Sequence, residues 1–264
     1  MALVFAAIVP HSPILLPSVG KEHLKKLKKT INALRRLELE LIASKPDTIL
    51  VLSPHGRIEK DHFTMEVRDR YIPDLKEFGV LEVPMEFRSD LRLASAIKEH
   101  LEDCGIPFML RSDAQLDYGV VTPLAYLAAK LDPVTILPIS PSFLSLKSHF
   151  ELGQELQETL MGSERRVAIV CSVDLSHRLT RSSPAGYSPY GKKFDEKILA
   201  ILQEKKTSAF ITFEPQLAEK AAQCALPSLA ILTGILDGIE AVPEILSYEY
   251  PFGIGSLTTR YSLS

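Results

Sequence analysis

Three histidines carry the chemistry this sequence offers. His11 stands in Pro10-His11-Ser12-Pro13, His55 in Ser53-Pro54-His55-Gly56, and His177 closes Asp174-Leu175-Ser176-His177. Each follows a short apolar run rich in β-branched residues, namely Leu3–Val9, Thr48–Leu52 and Val167–Ser172, and such runs read as buried strands. In an open, largely parallel sheet the carboxyl ends of the strands line one edge, and ligands bind there. Residues far apart in sequence are therefore expected to meet. Prolines 10, 13, 17 and 54 fix φ around the first two histidines, so these loops can hold a side chain with little conformational loss. One histidine after a strand commonly caps a turn; three together point to a site. Two imidazoles and one carboxylate, with positions left open, form the facial triad that suits non-haem Fe(II), a substrate and O₂. Asp174, Glu240, Glu244 and Glu249 are the candidate carboxylates. Glu249 lies in Ser247-Tyr248-Glu249-Tyr250-Pro251-Phe252-Gly253, an apolar and aromatic setting where an ionised carboxyl needs a partner. A bound cation would serve, and so would an arginine such as Arg260.

The remaining reactive residues are placed less suggestively. His23 and His100 fall in amphipathic helical text, His62 opens an alternating run and His149 lies near a helix start. Cys104, Cys171 and Cys224 are widely separated with no C-x-x-C pair, so neither a disulfide framework nor a zinc knuckle is encoded and a reducing, cytoplasmic setting is expected. Setting the cysteines aside leaves a hard N/O site as the expectation. No G-x-S-x-G, H-E-x-x-H, Walker A or G-x-G-x-x-G sequence is present, which argues against a serine hydrolase, zincin, NTPase or dinucleotide enzyme.

These residues need a scaffold, and the chain can build one. Its 264 residues are 46% hydrophobic, enough for one large α/β domain or two small ones. Thirty Lys+Arg against 33 Asp+Glu give a net charge of −3, without the basic excess of a nucleic-acid binder. The N-terminus reads as a first strand rather than a signal peptide. The longest apolar stretch elsewhere, 225–236, is broken by Pro227, Ser228, Thr233 and Gly234 and falls short of the ~20 residues that span a bilayer, so no membrane anchor is expected.

A further strand is predicted at 134–137, and 62–68 alternates strictly, as a strand with one wet face would. Over 21–43, Leu24, Leu27, Ile31, Leu34, Leu37 and Leu41 fall at spacings of three and four, predicting a crossover helix with one apolar stripe. A helix over 90–104 should stop at Gly105. Others are predicted at 120–131, 146–161, 192–205, 215–224 and 227–236, with one or two closing strands over 244–261. Residues 178–193 look irregular, in the position of a lid or specificity loop beside His177; their Arg178, Arg181, Lys192 and Lys193 would attract a carboxylated aromatic. No linker or composition shift divides the chain. The expected fold is α/β, one domain over 1–264, with a central mostly parallel or mixed sheet and helices on both faces.

Taken in order, Pro-His-Ser-Pro, Ser-Pro-His-Gly, Asp-Leu-Ser-His and the closing Tyr-Glu-Tyr-Pro-Phe-Gly-Ile-Gly resemble the class III extradiol ring-cleavage dioxygenases, the LigB-like group that also contains the Memo-like proteins. The resemblance covers nearly the whole chain. It implies that His11, His55 and Glu249 bind the metal, Fe(II) with Zn as the alternative, and that His177 stands beside it as acid/base. It also implies a small aromatic substrate, a catechol or aminophenol, with O₂ as co-substrate, and it is compatible with a homo-oligomer. Many ring-cleaving relatives carry a second histidine in an Asp-His-Gly segment, where this chain has Asp117-Tyr118-Gly119. Tyr118 can hydrogen-bond a substrate oxygen, but it is no near-neutral base. Two other readings share the fold: a zinc-dependent non-redox enzyme, and a Memo-like binding protein that cleaves no ring.

Overall fold

The three histidine-bearing strands are neighbours in the computed structural model, which describes residues 2–71, 73, 75–80, 85–113, 115–131 and 133–264. Strands β1 (Leu3–Val9), β2 (Thr48–Leu52) and β6 (Val167–Ser172) match the predicted runs. Strand β6 lies between the other two and is parallel to both. Strand β5 (Thr135–Ser140), three residues longer than predicted at its end, pairs in parallel with the far side of β2. These four are the parallel heart of one eight-stranded mixed sheet of order β4-β3-β5-β2-β6-β1-β8-β7.

Beyond them lie, on one side, β3 (Phe63–Glu66), antiparallel to β5, and β4 (Phe108–Arg111), parallel to β3. On the other side the chain closes as a hairpin, β7 (Ala241–Glu249) and β8 (Ser256–Leu263), with β8 antiparallel to β1. The expected wet face of β3 is absent. Thr64 is buried under the segment around Arg57, to whose carbonyl its hydroxyl donates at 2.9 Å, and Glu66 is half-buried.

Helices cover both faces. A short turn of helix, α1 (Pro17–Gly20), leads through a 3₁₀ segment (Lys21–Lys26) into α2 (Lys28–Ser44). The predicted single helix over 21–43 is therefore two pieces, which meet at Leu27, where φ −110° and ψ 27° leave helical geometry. The stripe survives the break, with Leu27, Leu34, Leu37 and Leu41 buried beneath β1 and β2 beside α4 (Tyr118–Leu127). The opposite face carries α3 (Leu91–Asp103), α5 (Leu146–Gly162), α6 (Pro189–Gln203), α7 (Pro215–Ala221) and α8 (Leu226–Ile235). Asp90 caps α3, accepting from Leu93 N at 3.0 Å, and Gly105 ends it at φ +70°, as the stop signal predicted. Among the described residues no helix is long and apolar enough to cross a membrane.

Candidate metal centre

The carboxyl ends of β1, β6 and β2 deliver His11, the 173–177 segment and His55 to one place. His11 is almost wholly buried, and its Nε2 lies 3.0 Å from His55 Nε2, the rings meeting edge to face. The third group in reach is Cys224. One donor atom from each of His11, His55 and Cys224 lies within 4.8 Å of the others, and the thiol sulfur is 3.6 Å from His11 Nε2. Cys224 sits between α7 and α8, in a turn held by Gln223, whose Oε1 accepts from the N–H groups of Ala225 and Leu226 at 2.6 and 2.8 Å. Those bonds do the capping that the Ala225 side chain cannot.

Second contacts orient the imidazoles. The Ser172 hydroxyl donates to the carbonyl of Gly119, so its oxygen is free to accept from His11 Nδ1, 3.1 Å away. His11 thus keeps its proton on Nδ1 and turns the Nε2 lone pair toward His55 and Cys224, as metal-binding histidines do. His177 is fixed in the same way. Its Nδ1 donates to the carbonyl of Ala222 at 2.8 Å, its backbone N–H donates to Ala221, and the Leu175 backbone also bonds the ring. Ala222 offers that carbonyl from the left-handed region, φ +50°, a conformation that costs a non-glycine residue about 1–2 kcal/mol.

Burial keeps the cluster uncharged. It holds His11 well below the ordinary imidazole value, with the charges of His55 and His177 adding to the effect. His55 is pushed down to about 4, by burial and then by His177, and His177 is lowered chiefly by burial. Asp174 is buried as well, with Oδ2 3.7 Å from His11 Nε2. Burial pushes its carboxyl up to about 7, so with both partners driven toward neutrality this contact is not a charged ion pair. Asp174 Oδ1 also accepts from the His11 backbone N–H at 3.4 Å. The Cys224 thiol is raised by burial and by Asp174, and it donates to the Asp174 backbone carbonyl at 3.3 Å.

Tyr118 lies across His55, the two rings stacked at 4.4 Å with the phenol oxygen 3.0 Å from each ring nitrogen. Burial keeps the phenol protonated, with its oxygen within hydrogen-bonding reach of His55. Its neighbours in Asp117-Tyr118-Gly119 explain the segment. Asp117 caps α4 by accepting from Val120 N and also accepts from Ser53 Oγ at 2.7 Å. Ser53 Oγ in turn accepts from the His55 N–H at 3.3 Å. A Cβ on Gly119 would fall 2.4 Å from Ser53 Oγ and 2.7 Å from Asp117 Oδ1, so only glycine lets these groups close on each other.

Glu249 is not brought to the histidines. Side chains alternate along a strand, and Tyr248 points to the α6 face, where its hydroxyl donates to Asp195 Oδ2 at 2.7 Å. Glu249 points to the α2 face, where Oε1 accepts from Thr30 N at 2.8 Å. Thr30 is the third residue of α2, whose N-cap, Leu27, has no side chain able to cap. Glu249 thus does from outside what a cap residue does within a helix. Arg260 is not its partner; Arg260 pairs with Glu244 and Glu40. Of the four candidate carboxylates, Asp174 alone contacts a site histidine, while Glu244 is taken up by Arg260 and Arg36.

The closing aromatic segment serves the site indirectly. Leu175 N donates to Gly255 O, Gly255 N to Ser176 O, and Leu179 N to Gly253 O. The Asp195 Oδ1 atom accepts from Ser176 N at 2.9 Å. The hairpin turn therefore holds the loop that carries Asp174 and His177. Cys224 is the residue the sequence reading missed. Its one signal was position, in a turn before an apolar helix, where packing gives no reason for a cysteine, unlike Cys171 within β6.

A family model described as the catalytic LigB subunit of aromatic ring-opening dioxygenase matches residues 5–258. The chain belongs to the LigB family. Protein CA_C1420 of Clostridium acetobutylicum is 28% identical over 257 residues, covering 94% of this chain and 55% of its own length. The chain thus spans about half the length of that curated relative. The crystal structure of an uncharacterized protein, JW3007, from Escherichia coli K12 superposes with a TM-score of 0.68 at 19% identity, over 97% of this chain and 99% of that one. At that identity the likeness is one of fold.

Proposed function

We propose that this LigB-family chain is a mononuclear metal enzyme acting on a small aromatic diol or aminophenol, with His11, His55 and Cys224 as the protein ligands. The observation that carries the proposal is the convergence of three donor atoms, from three separate loops, within 4.8 Å of one another. Atoms each about 2.1–2.3 Å from one ion lie roughly 3–4 Å apart, which the 3.0 and 3.6 Å separations satisfy. The lone pair of His11 already points inward.

When bound, the ion would act as a Lewis acid toward adjacent substrate oxygens and, as Fe(II), would open the way to O₂ chemistry and ring opening. The chain's own part is proton handling and exclusion of water. His177 keeps its proton on Nδ1 against Ala222 and presents Nε2 to receive one from a substrate hydroxyl. Tyr118 stays neutral, with its oxygen within hydrogen-bonding reach of His55. Metal binding displaces the thiol proton of Cys224, so the site should load more readily as pH rises.

The thiol supports a second reading. Two imidazoles and a thiolate are softer than the facial triad expected from sequence and suit zinc as well as iron, which fits a non-redox enzyme or a binding protein on the same fold. Anaerobic purification, metal analysis and O₂ uptake on catechols and aminophenols separate these readings. Ring opening with iron and none with zinc is the expected result; no uptake by fully iron-loaded protein would overturn the dioxygenase reading for that panel. His177→Gln should keep the metal and lose turnover, and release of the metal by this variant would contradict the role given to His177.

A further inference from the structure

A second group of metal-binding side chains lies on the outer surface of α3 and α5 and shares no residue with the first. His100 and Cys104 are one turn apart at the end of α3 and face Glu155 of α5. Glu155 Oε2 is 2.9 Å from His100 Nε2 and 3.2 Å from Cys104 Sγ, and the sulfur is 3.7 Å from the same imidazole nitrogen. All three donor atoms fall within 4.8 Å of one another. Glu158, one turn further along α5, places Oε2 4.0 Å from His100 Nε2.

We propose that His100, Cys104 and Glu155 form a zinc-class surface site that pins the end of α3 to α5, with Glu158 or water completing the shell. An ion pair between His100 and Glu155 would need no thiol; here a nitrogen, a sulfur and an oxygen converge, the three donor types zinc takes. The separations again match donors sharing one small ion. The backbone beneath Cys104 is fixed: its N–H donates to His100 O, Ile106 N donates to Leu101 O, and Gly105 closes the turn at φ +70°, so the sulfur rides on a rigid C-cap. Cys104 is exposed, and Glu158 is 75% exposed, which lets an ion enter from solvent.

The surroundings favour a cation. Glu155, Glu158 and Asp103 bear on Cys104 and hold its thiol proton. Binding exchanges that proton for the ion: the S–H bond breaks, the sulfur–zinc bond forms, and one proton leaves with no change of redox state. An ion held by both helices stabilises the folded chain by mass action.

The test is made in the Cys224→Ser protein, which removes the thiolate of the first centre. Titration with Co²⁺ under reducing, oxygen-free conditions should produce a thiolate-to-cobalt charge-transfer band, and Zn²⁺ should displace it. Adding Cys104→Ser should abolish the band, and adding His100→Ala should weaken binding at least tenfold. Zn²⁺ should raise the melting temperature of the Cys224→Ser protein but not of Cys104→Ser/Cys224→Ser. Because Cys104 is exposed, its serine variant should keep the helical circular dichroism of the parent. Absence of the band, or a band and a zinc-dependent melting shift unchanged by Cys104→Ser and His100→Ala, would overturn the proposal.

Discussion

Replacing Glu249 separates a ligand role from the structural role its contacts assign. Glu249→Ala removes the acceptor for Thr30 N at the start of α2. Thr30 is fully buried, and a buried donor left unpaired costs about 1–3 kcal/mol. Loss of a carboxylate from a helix N-terminus adds about 0.3–1 kcal/mol. Glu249→Ala should therefore lose about 1–4 kcal/mol in urea unfolding. Glu249→Gln keeps an amide oxygen in place of Oε1 and should lose only the charge part, below about 1 kcal/mol. Both variants, once refolded and loaded, should bind the same amount of metal as the parent, measured by elemental analysis after dialysis. A glutamate ligand predicts the reverse order: metal lost in both variants, with little change in the stability of the metal-free protein. That outcome would refute the reasoning that places Glu249 on α2.

Two further substitutions test the supports of the site. Asp195 is fully buried, and burial pushes its carboxyl up to about 7 from an ordinary 3.8, with Glu196 adding to the rise and its bonds from Tyr248 and Ser176 opposing it. A folded value above the unfolded one means that its stabilising contribution is complete below about pH 4 and is lost as pH rises through about 7, by about 4 kcal/mol in all. Asp195→Asn should flatten the fall in stability between about pH 4 and 7 in denaturant titrations, and an unchanged slope would contradict this. Gly119→Ala should cost about 1–3 kcal/mol by overpacking and weaken metal binding through displaced Ser53 and His55. Gly162→Ala, where a Cβ meets nothing within 4 Å, is the matched control, and equal effects would show that the tight contact at Gly119 does not matter.

The scaffold was largely legible in the sequence because the signals were local. Leu3–Val9, Thr48–Leu52 and Val167–Ser172 are short β-branched runs ending at Pro10, Ser53 and Val173, and the edge rule for parallel sheets puts their histidines at one edge. The errors lay where the deciding partner is distant in sequence. Whether 62–68 has a wet face depends on what packs over it, here the segment around Arg57 above Thr64. Which way Glu249 points depends on the register of the closing hairpin, which sets Tyr248 against α6 and Glu249 against α2. Cys224 could not be ranked from composition, because its value comes from His11, 213 residues earlier. A low cysteine count argued for a hard N/O centre; one sulfur beside the histidines would make it softer.

The central claim, that His11, His55 and Cys224 share one ion, is tested most directly by a crystal structure of the metal-loaded protein with anomalous data at the metal's absorption edge. The account predicts a peak within bonding distance of His11 Nε2, His55 Nε2 and Cys224 Sγ, with Glu249 still on Thr30 N. A peak coordinated by Glu249, or density at the histidines with Cys224 turned away, would contradict it.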